Sequence, residues 1–283
     1  VTRDRFMSTV LGRVRVHGDP AEAELVLWPG VLLRSEVHGA LAEVLAGQGI
    51  RTCLVDPPGW SGARLEDGRF SMERCAEAML QVLGAGPPKL VGGTSWGGAV
   101  AGWTALKAPD RVRGAVMMNP PWSRGSAAGL AAVVPPAATL LPRWLYGVVS
   151  TPAVLGPEAD LRTRLRAWQL QVRSLQGVDR RDRYRAARQV FWQRASLGRA
   201  VAGLQVPVLV VAGRADPLCP LHHAEAASRT SPNMTLEVCE RSGHLSAWEC
   251  PGDTAGRIVR WAASLPAAGG ATALSHEPRA TRA

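Results

Sequence analysis

The stretch Lys89-Leu90-Val91-Gly92-Gly93-Thr94-Ser95-Trp96-Gly97-Gly98-Ala99-Val100 decides how the chain is to be read. Its first part, K-L-V-G-G (89–93), is a short apolar run entering a glycine-rich turn, which predicts a buried strand. Residues 97–107 are small and apolar, which predicts a helix packed closely on a sheet. Between them Gly93-Thr94-Ser95-Trp96-Gly97 satisfies the pattern G-x-S-x-G. A strand before it and a helix after it make the pattern a sharp turn that lifts a serine hydroxyl above the sheet edge. Glycines on both sides remove side chains that would strike the neighbouring strand and helix.

Working outward, R-V-R-V-H (13–17) alternates as a half-buried edge strand would, and E-L-V-L-W (24–28) is an apolar strand ending at Pro29-Gly30. A helix is expected over 35–46, with Ser35 as its N-cap and Gly47 as its stop. R-T-C-L-V-D (51–56) predicts a buried strand broken by Pro57-Pro58-Gly59. Residues 71–83 predict a helix capped by Ser71, and R-G-A-V-M-M-N (113–119) the next strand. V-P-V-L-V-V-A-G (206–213) and M-T-L-E-V-C (234–239) are further strands, followed by a helix over about 253–265. Strands alternating with helices imply a mostly parallel central sheet with helices on both faces. The stretch 121–203 breaks the alternation. Its patterns are helical, with Leu161, Leu165, Trp168, Val172 and Leu175 as one inward stripe, and Tyr184, Ala187, Phe191 and Ala195 as another. The expected organisation is therefore a core of residues 1–120 and 204–265, a helical lid insert at 121–203, and a disordered tail at 266–283.

In such sheets ligands bind beyond the carboxyl ends of the strands. A serine hydroxyl there is a weak nucleophile unless a base takes its proton and a carboxylate fixes the base's tautomer. Asp216, just past strand 206–213, and His244, just past strand 234–239, supply those groups at the same edge as Ser95. His17 ends an early strand, His38 falls inside the first helix, His222 and His223 begin the helix after Asp216, and His276 lies in the tail. The other position suited to the acid, after strand 113–119, holds Asn119. Acyl transfer also needs donors for a developing oxyanion. The backbone N–H groups of Trp96 and Val31 are the candidates, with Gly30 letting the second loop approach.

With these residues placed, the chain resembles the α/β-hydrolase superfamily, in its lidded serine-hydrolase branch, over roughly residues 10–265. D-P-P-G-W-S-G (56–62) resembles the family's loop after the second parallel strand. A-P-D-R-V-R-G-A-V-M-M-N-P (108–120) resembles its stretch after the nucleophile helix. V-P-V-L-V-V-A-G-R-A-D-P-L-C-P and G-H-L-S-A-W-E-C-P resemble its acid and histidine segments, with Glu249 where the family often starts a helix before Pro. Five motifs in the right order are far more specific than any one. The family's His-Gly before the oxyanion donor is Pro29-Gly30 here, so backbone geometry survives and any contact made by that histidine is lost. G-x-S-W-G is similar to proline iminopeptidases, whose H-G-G-P-G loop is missing. The resemblance implies a serine hydrolase with the triad Ser95, Asp216 and His244, acting on an ester, lactone or thioester without metal or cofactor. Carrier-bound thioester chemistry, C–C bond hydrolysis, cofactor-free haloperoxidation and a non-catalytic binding role are the other uses this constellation admits.

Composition narrows the partners. The net charge is +10, from 33 basic and 23 acidic residues. Between 161 and 199 there are 11 arginines against Asp179 and Asp182, so nearly all the excess sits in the insert. Beside a small-molecule substrate, that charge is either the solvated outer face of the lid or the docking place of an anionic carrier, such as an acidic acyl-carrier protein or a coenzyme A thioester. No aromatic-interleaved basic motif suggests nucleic acid. No apolar run reaches the roughly 18 residues that span a bilayer. Five scattered cysteines without C-x-x-C argue against disulfides or zinc and suggest a reducing cytoplasm. Of the 10 tryptophans, Trp28, Trp60, Trp122 and Trp248 fall with Trp96 in loops at the triad edge. They are the candidates for a flat apolar wall suited to an aromatic acyl group.

Overall fold

The computed structural model describes residues 5–58, 70–122, 138–193, 197 and 203–266. Trp60, Ala195, the Pro/Ala-rich stretch 123–137 and the tail from 267 onward lie outside the described residues. Eight strands form one sheet: β1 (Arg5–Thr9), β2 (Gly12–His17), β3 (Leu25–Trp28), β4 (Thr52–Asp56), β5 (Lys89–Thr94), β6 (Val112–Met118), β7 (Val208–Gly213) and β8 (Met234–Cys239). Their spatial order is β1-β2-β4-β3-β5-β6-β7-β8. The pairs β1–β2 and β2–β4 are antiparallel, and every other pair is parallel.

Period-two alternation sorts the strand side chains onto two buried faces. Leu25 and Leu27 of β3 join Leu209 and Val211 of β7 under α1 (Gly39–Gly47) and α7 (Pro251–Ser264), beside Leu41, Leu45, Ile258 and Trp261. Val26 and Trp28 point the other way, with Val208 and Val210, towards α2 (Met72–Leu83) and α3 (Trp96–Lys107). β3, β5 and β7 are buried at every position, as parallel strands covered on both faces must be. Ser71 caps α2 by accepting from the Arg74 N–H at 3.2 Å.

Two early expectations change. The outer strand is β1, not 13–17. Its polar sequence R-F-M-S-T is mostly exposed, so it carries little hydrophobic signal. Ser35 does not cap the first helix with its side chain. It opens a 3-10 turn (Ser35–His38) ahead of α1, and its backbone N–H is held by Asp56 instead.

Between β6 and β7 lie α4 (Arg143–Val154), α5 (Leu161–Ser174) and α6 (Arg180–Gln193). Asp160 caps α5 by accepting from the Thr163 N–H at 2.7 Å. The inward face of α5 differs from the expected stripe. Leu161 and Leu165 are 72% and 52% exposed, while Ala167, Leu170, Gln171 and Ser174 are buried. The reason is where the helix is covered: α4 and the loop after β3 pack on its C-terminal half. Gln171 donates to Thr151 of α4 at 2.8 Å, and the Ser174 hydroxyl accepts from the Arg34 N–H at 3.2 Å. On α6 the buried face is Arg183, Ala186, Ala187 and Val190, spaced i, i+3, i+4, i+7. Of the stripe expected there, Ala187 is buried and Tyr184 half-buried.

Candidate active site

The chain leaves β3 towards β4 on one side, and β5 follows on the other side of β3. Loops after β3 and β5 therefore diverge at this point, which opens a crevice at the carboxyl edge. Ser95 stands there, with φ 56° and ψ −120°, a left-handed backbone that a side chain adopts only under constraint. Its N–H donates to the Met118 carbonyl at 2.7 Å, which ties the turn to β6. The glycines of G-x-S-x-G are obligatory. A Cβ on Gly97 would lie 1.9 Å from the Trp28 carbonyl oxygen, and one on Gly93 would lie 2.3 Å from the same atom. The backbone of β3 thus fills the space where those side chains would be.

Asp216 and His244 meet at the ends of β7 and β8. The Nδ1 of His244 lies 2.9 Å from Oδ2 of Asp216, and both residues are buried. Oδ2 also accepts from Asn119 Nδ2 at 2.9 Å, while Oδ1 accepts the N–H groups of Leu218 and Cys219, each at 2.9 Å. Four donors thus fill the carboxylate's lone pairs and fix its plane. The Cys219 thiol joins Asp216 and His244 in a group whose donor atoms lie within 4.8 Å of one another. With every lone pair of Asp216 engaged, that carboxylate has none to offer a metal.

Asn119 stands where a carboxylate was sought, and it has a role of its own. Its Nδ2 also donates to the Gly243 carbonyl at 3.1 Å, and its Oδ1 accepts from the Ser246 hydroxyl at 2.6 Å. It therefore joins the acid loop to the histidine loop. The signal available in the sequence was an Asn, a residue that tolerates positive φ, between a strand and Pro120; in the structure its φ is 50°. Glu249 orders the histidine loop in the same way, accepting from the N–H groups of Gly156 (2.7 Å) and Gly243 (2.9 Å). Burial raises its pKa, and those backbone hydrogen bonds oppose the rise. The insert reaches the loop too: the His244 N–H donates to the Val154 carbonyl of α4 at 3.0 Å.

The loop after β3 comes to Ser95 through Gly30, where an added Cβ would sit 3.5 Å from the Ser95 Cβ. Leu32, at φ 62°, turns the chain, and Leu33 N–H closes the turn on the Gly30 carbonyl at 3.1 Å. Val31, the expected donor, lies in this turn, half-buried. Asp56 pins the far end, accepting from the Ser35 N–H at 2.6 Å and lying 3.0 Å from His17 Nε2. Burial alone would raise the Asp56 pKa, but the His17 and Ser35 hydrogen bonds outweigh it and hold it below the ordinary value. His38 is not a remote helix residue. Its Nε2 lies 2.9 Å from the hydroxyl of Thr94, the neighbour of Ser95. Complete burial lowers its pKa to about 3, against a weaker opposing pull from Asp56, so it is a neutral imidazole.

Among the tryptophans, Trp28 and Trp96 are fully buried, and Trp96 stacks on Phe70 with ring centroids 5.8 Å apart. Trp122 is buried in the same cluster. Trp248 is half-buried against Leu33, Val37, Leu170 and Leu245, where the β3 loop meets α5.

This sheet order, elbow and acid–histidine pair define an α/β-hydrolase fold. The model of the serine aminopeptidase S33 family matches residues 19–250, and the chain belongs to that family of α/β hydrolases. Solved structures share the fold. An esterase from Exiguobacterium antarcticum superposes with a TM-score of 0.78 at 17% identity, covering 93% of this chain and 100% of its own. A thermophilic esterase from Thermogutta terrifontis gives 0.76 at 21% identity, covering 92% and 98%. A carboxylesterase from Bacillus subtilis gives 0.73 at 22% identity, covering 93% and 92%. No curated protein sequence matches the chain. Among the described residues, no helix is long and apolar enough to cross a membrane.

Proposed function

We propose that the protein hydrolyses carboxylic esters, lactones or thioesters of an apolar acyl group through a Ser95–His244–Asp216 triad. The observation that carries this reading is the His244–Asp216 pair at 2.9 Å, at the same edge as the strained Ser95 turn. Asp216 keeps the proton of His244 on Nδ1, so Nε2 is the basic nitrogen. His244 takes the Ser95 proton as Oγ attacks the carbonyl carbon. The N–H groups of Trp96 and Val31 hold the oxyanion. The alcohol or thiol leaves with the proton from His244. Water, deprotonated by the same imidazole, then releases the acid from the acyl-enzyme. No step calls for a metal or cofactor. The insert acts as the lid over this edge, Trp28, Trp60, Trp122 and Trp248 contribute its apolar wall, and the working compartment is the cytoplasm. Esterases among the structural neighbours support an ester as the first substrate to try. The test is fluorophosphonate labelling of Ser95 together with turnover of p-nitrophenyl esters. Folded protein that is neither labelled nor active would overturn the reading.

One observation favours a second substrate form, a carrier-bound thioester. Leu161 and Leu165 stand exposed among Arg162, Arg166 and Gln169 around a depression of about 560 Å³. A basic rim around exposed apolar side chains suits an acidic carrier domain. Arg162→Glu combined with Arg166→Glu should lower kcat/KM on carrier-bound substrate and leave free thioesters unaffected. Equal loss on both would remove this form.

A further inference from the structure

Arg183 of α6 is 4% exposed and occupies the core-facing side of its helix, in line with Ala186, Ala187 and Val190. Its Nε and Nη1 are buried without a hydrogen-bond partner among the described residues. A buried guanidinium without an anion is a costly arrangement, since the ion has lost water and gained nothing in exchange. The neighbouring groups do not supply the missing charge. Asp179 is in electrostatic reach, but it stands in solvent and accepts from the Arg181 N–H at 2.7 Å. Tyr146 of α4 also reaches it, and burial pushes that phenol up to about 12, so it is a neutral hydroxyl. Burial first, and Arg180 second, pull the Arg183 pKa below its ordinary value.

The position of α6 relates this cation to the nucleophile. Gln189 and Gln193, further along the helix, accept from the N–H groups of Phe70 and Met72 at 2.6 and 2.7 Å. Phe70 stacks on Trp96, the residue after Ser95. The buried face of α6 and the half-buried Tyr146 belong to the same apolar cluster as Trp96 and Trp122. Arg183 shares that helix face, one turn before Ala186 and Ala187, which are members of the cluster.

We propose that Arg183 is a specificity residue, which binds a free carboxylate carried on the acyl part of the substrate, with the Tyr146 hydroxyl as a second donor. The substrate class is then the monoester or monothioester of a dicarboxylic acid. The scissile bond lies at Ser95, and the second carboxylate enters between α4 and α6. This rests on the hydrolase reading above and deepens it. The guanidinium acquires its counter-ion when the acid chain binds, a gain that an uncharged apolar acyl chain, still a substrate, does not make, so the acid chain is preferred.

The test compares mono-p-nitrophenyl esters of succinate, glutarate and adipate with their methyl-capped, uncharged counterparts. The expected result is a kcat/KM ratio of about 10 to 100 in favour of one acid chain length, the discrimination of a charge-assisted hydrogen bond. In Arg183→Met the ratio should fall to about 1, and in Arg183→Lys it should be partly retained. Glutarate or adipate should also raise the melting temperature of the unaltered protein and not that of Arg183→Met, a readout that needs no turnover. Equal turnover of acid and capped esters, without such a thermal shift, would overturn this proposal and leave the hydrolase reading standing. Protein that hydrolyses neither series and resists fluorophosphonate would instead sink the hydrolase reading. A ratio that persists in Arg183→Met would place the carboxylate on another residue and overturn the assignment of Arg183.

Discussion

At the sheet edge, the Asp216 carboxylate accepts four hydrogen bonds from three loops, whereas on α6 the Arg183 guanidinium is buried with two nitrogens unbonded. The first region is complete by itself. Backbone donors, Asn119 and tight glycine contacts fix each atom before any substrate arrives, which is the preorganisation that chemistry on an acyl group needs. The second region is incomplete by itself, which is the condition for selecting a ligand that completes it. On the proposed reading, chemistry belongs to the sheet, where sterics leave no freedom, and selection to the insert, where helix faces depend on what covers them.

Four changes would break or sharpen that contrast. The largest effect is expected from Ser95→Ala, which should cut kcat by about 10⁴-fold or more and abolish fluorophosphonate labelling, with an unchanged circular dichroism spectrum. Loss of a few-fold only would move the chemistry elsewhere. Next is Gly97→Ala, whose methyl would lie 1.9 Å from the Trp28 carbonyl oxygen. It should destabilise the core by about 3 kcal/mol in a denaturant titration, because backbone rather than a flexible side chain must move. A melting temperature equal to that of the unaltered protein would show that the elbow yields.

His38 gives a smaller, graded effect. Its pKa falls to about 3 in the folded protein, against about 6.5 unfolded. Between those values the unfolded chain binds the extra proton. The contribution of His38 to stability is thus complete above about pH 6.5 and is lost as the pH falls towards 3, at up to about 1.4 kcal/mol per unit. His38→Gln retains a partner for Thr94 and should flatten the slope between pH 6 and 4.5. Identical slopes would mean that the imidazole charges without unfolding. The smallest effect belongs to the insert surface. Leu161→Ser should change stability by less than about 0.5 kcal/mol, while Leu170→Ala, on the buried face of the same helix, should cost about 2–5 kcal/mol. Similar losses in both would restore the stripe that the sequence periodicity suggests.

What was legible in the sequence follows the same division. The sequence puts Ser95, Asp216 and His244 at one edge because each lies just past a strand, although β8 is buried only at its two ends. β1 was missed because a hairpin edge strand of mixed polarity needs no apolar run. The face of α5 was read wrong at its first turns, where Leu161 and Leu165 are exposed, and right at Leu175; on α6 Ala187 is buried as expected, and the buried Arg183 was not foreseen. Apolar residues recur on more than one side of an Arg-rich helix, and only the position of α4 and the β3 loop decides which side is covered. Asn119 was dismissed because its value lies in joining two loops that are far apart in the chain.

The sequence by itself determined the order of strands and helices, the elbow at Ser95 and the candidates for base and acid. These depend on local periodicity, turn chemistry and the absence of a Cβ where backbones cross. Only the tertiary structure decided that Asn119 and Glu249 tie down the histidine loop, that His38 stands behind Thr94, and that Arg183 is buried with no counter-ion among the described residues. Those facts arise from contacts between distant segments. In such contacts the cost of removing a charge or a polar group from water is set by whichever neighbours the fold brings to it.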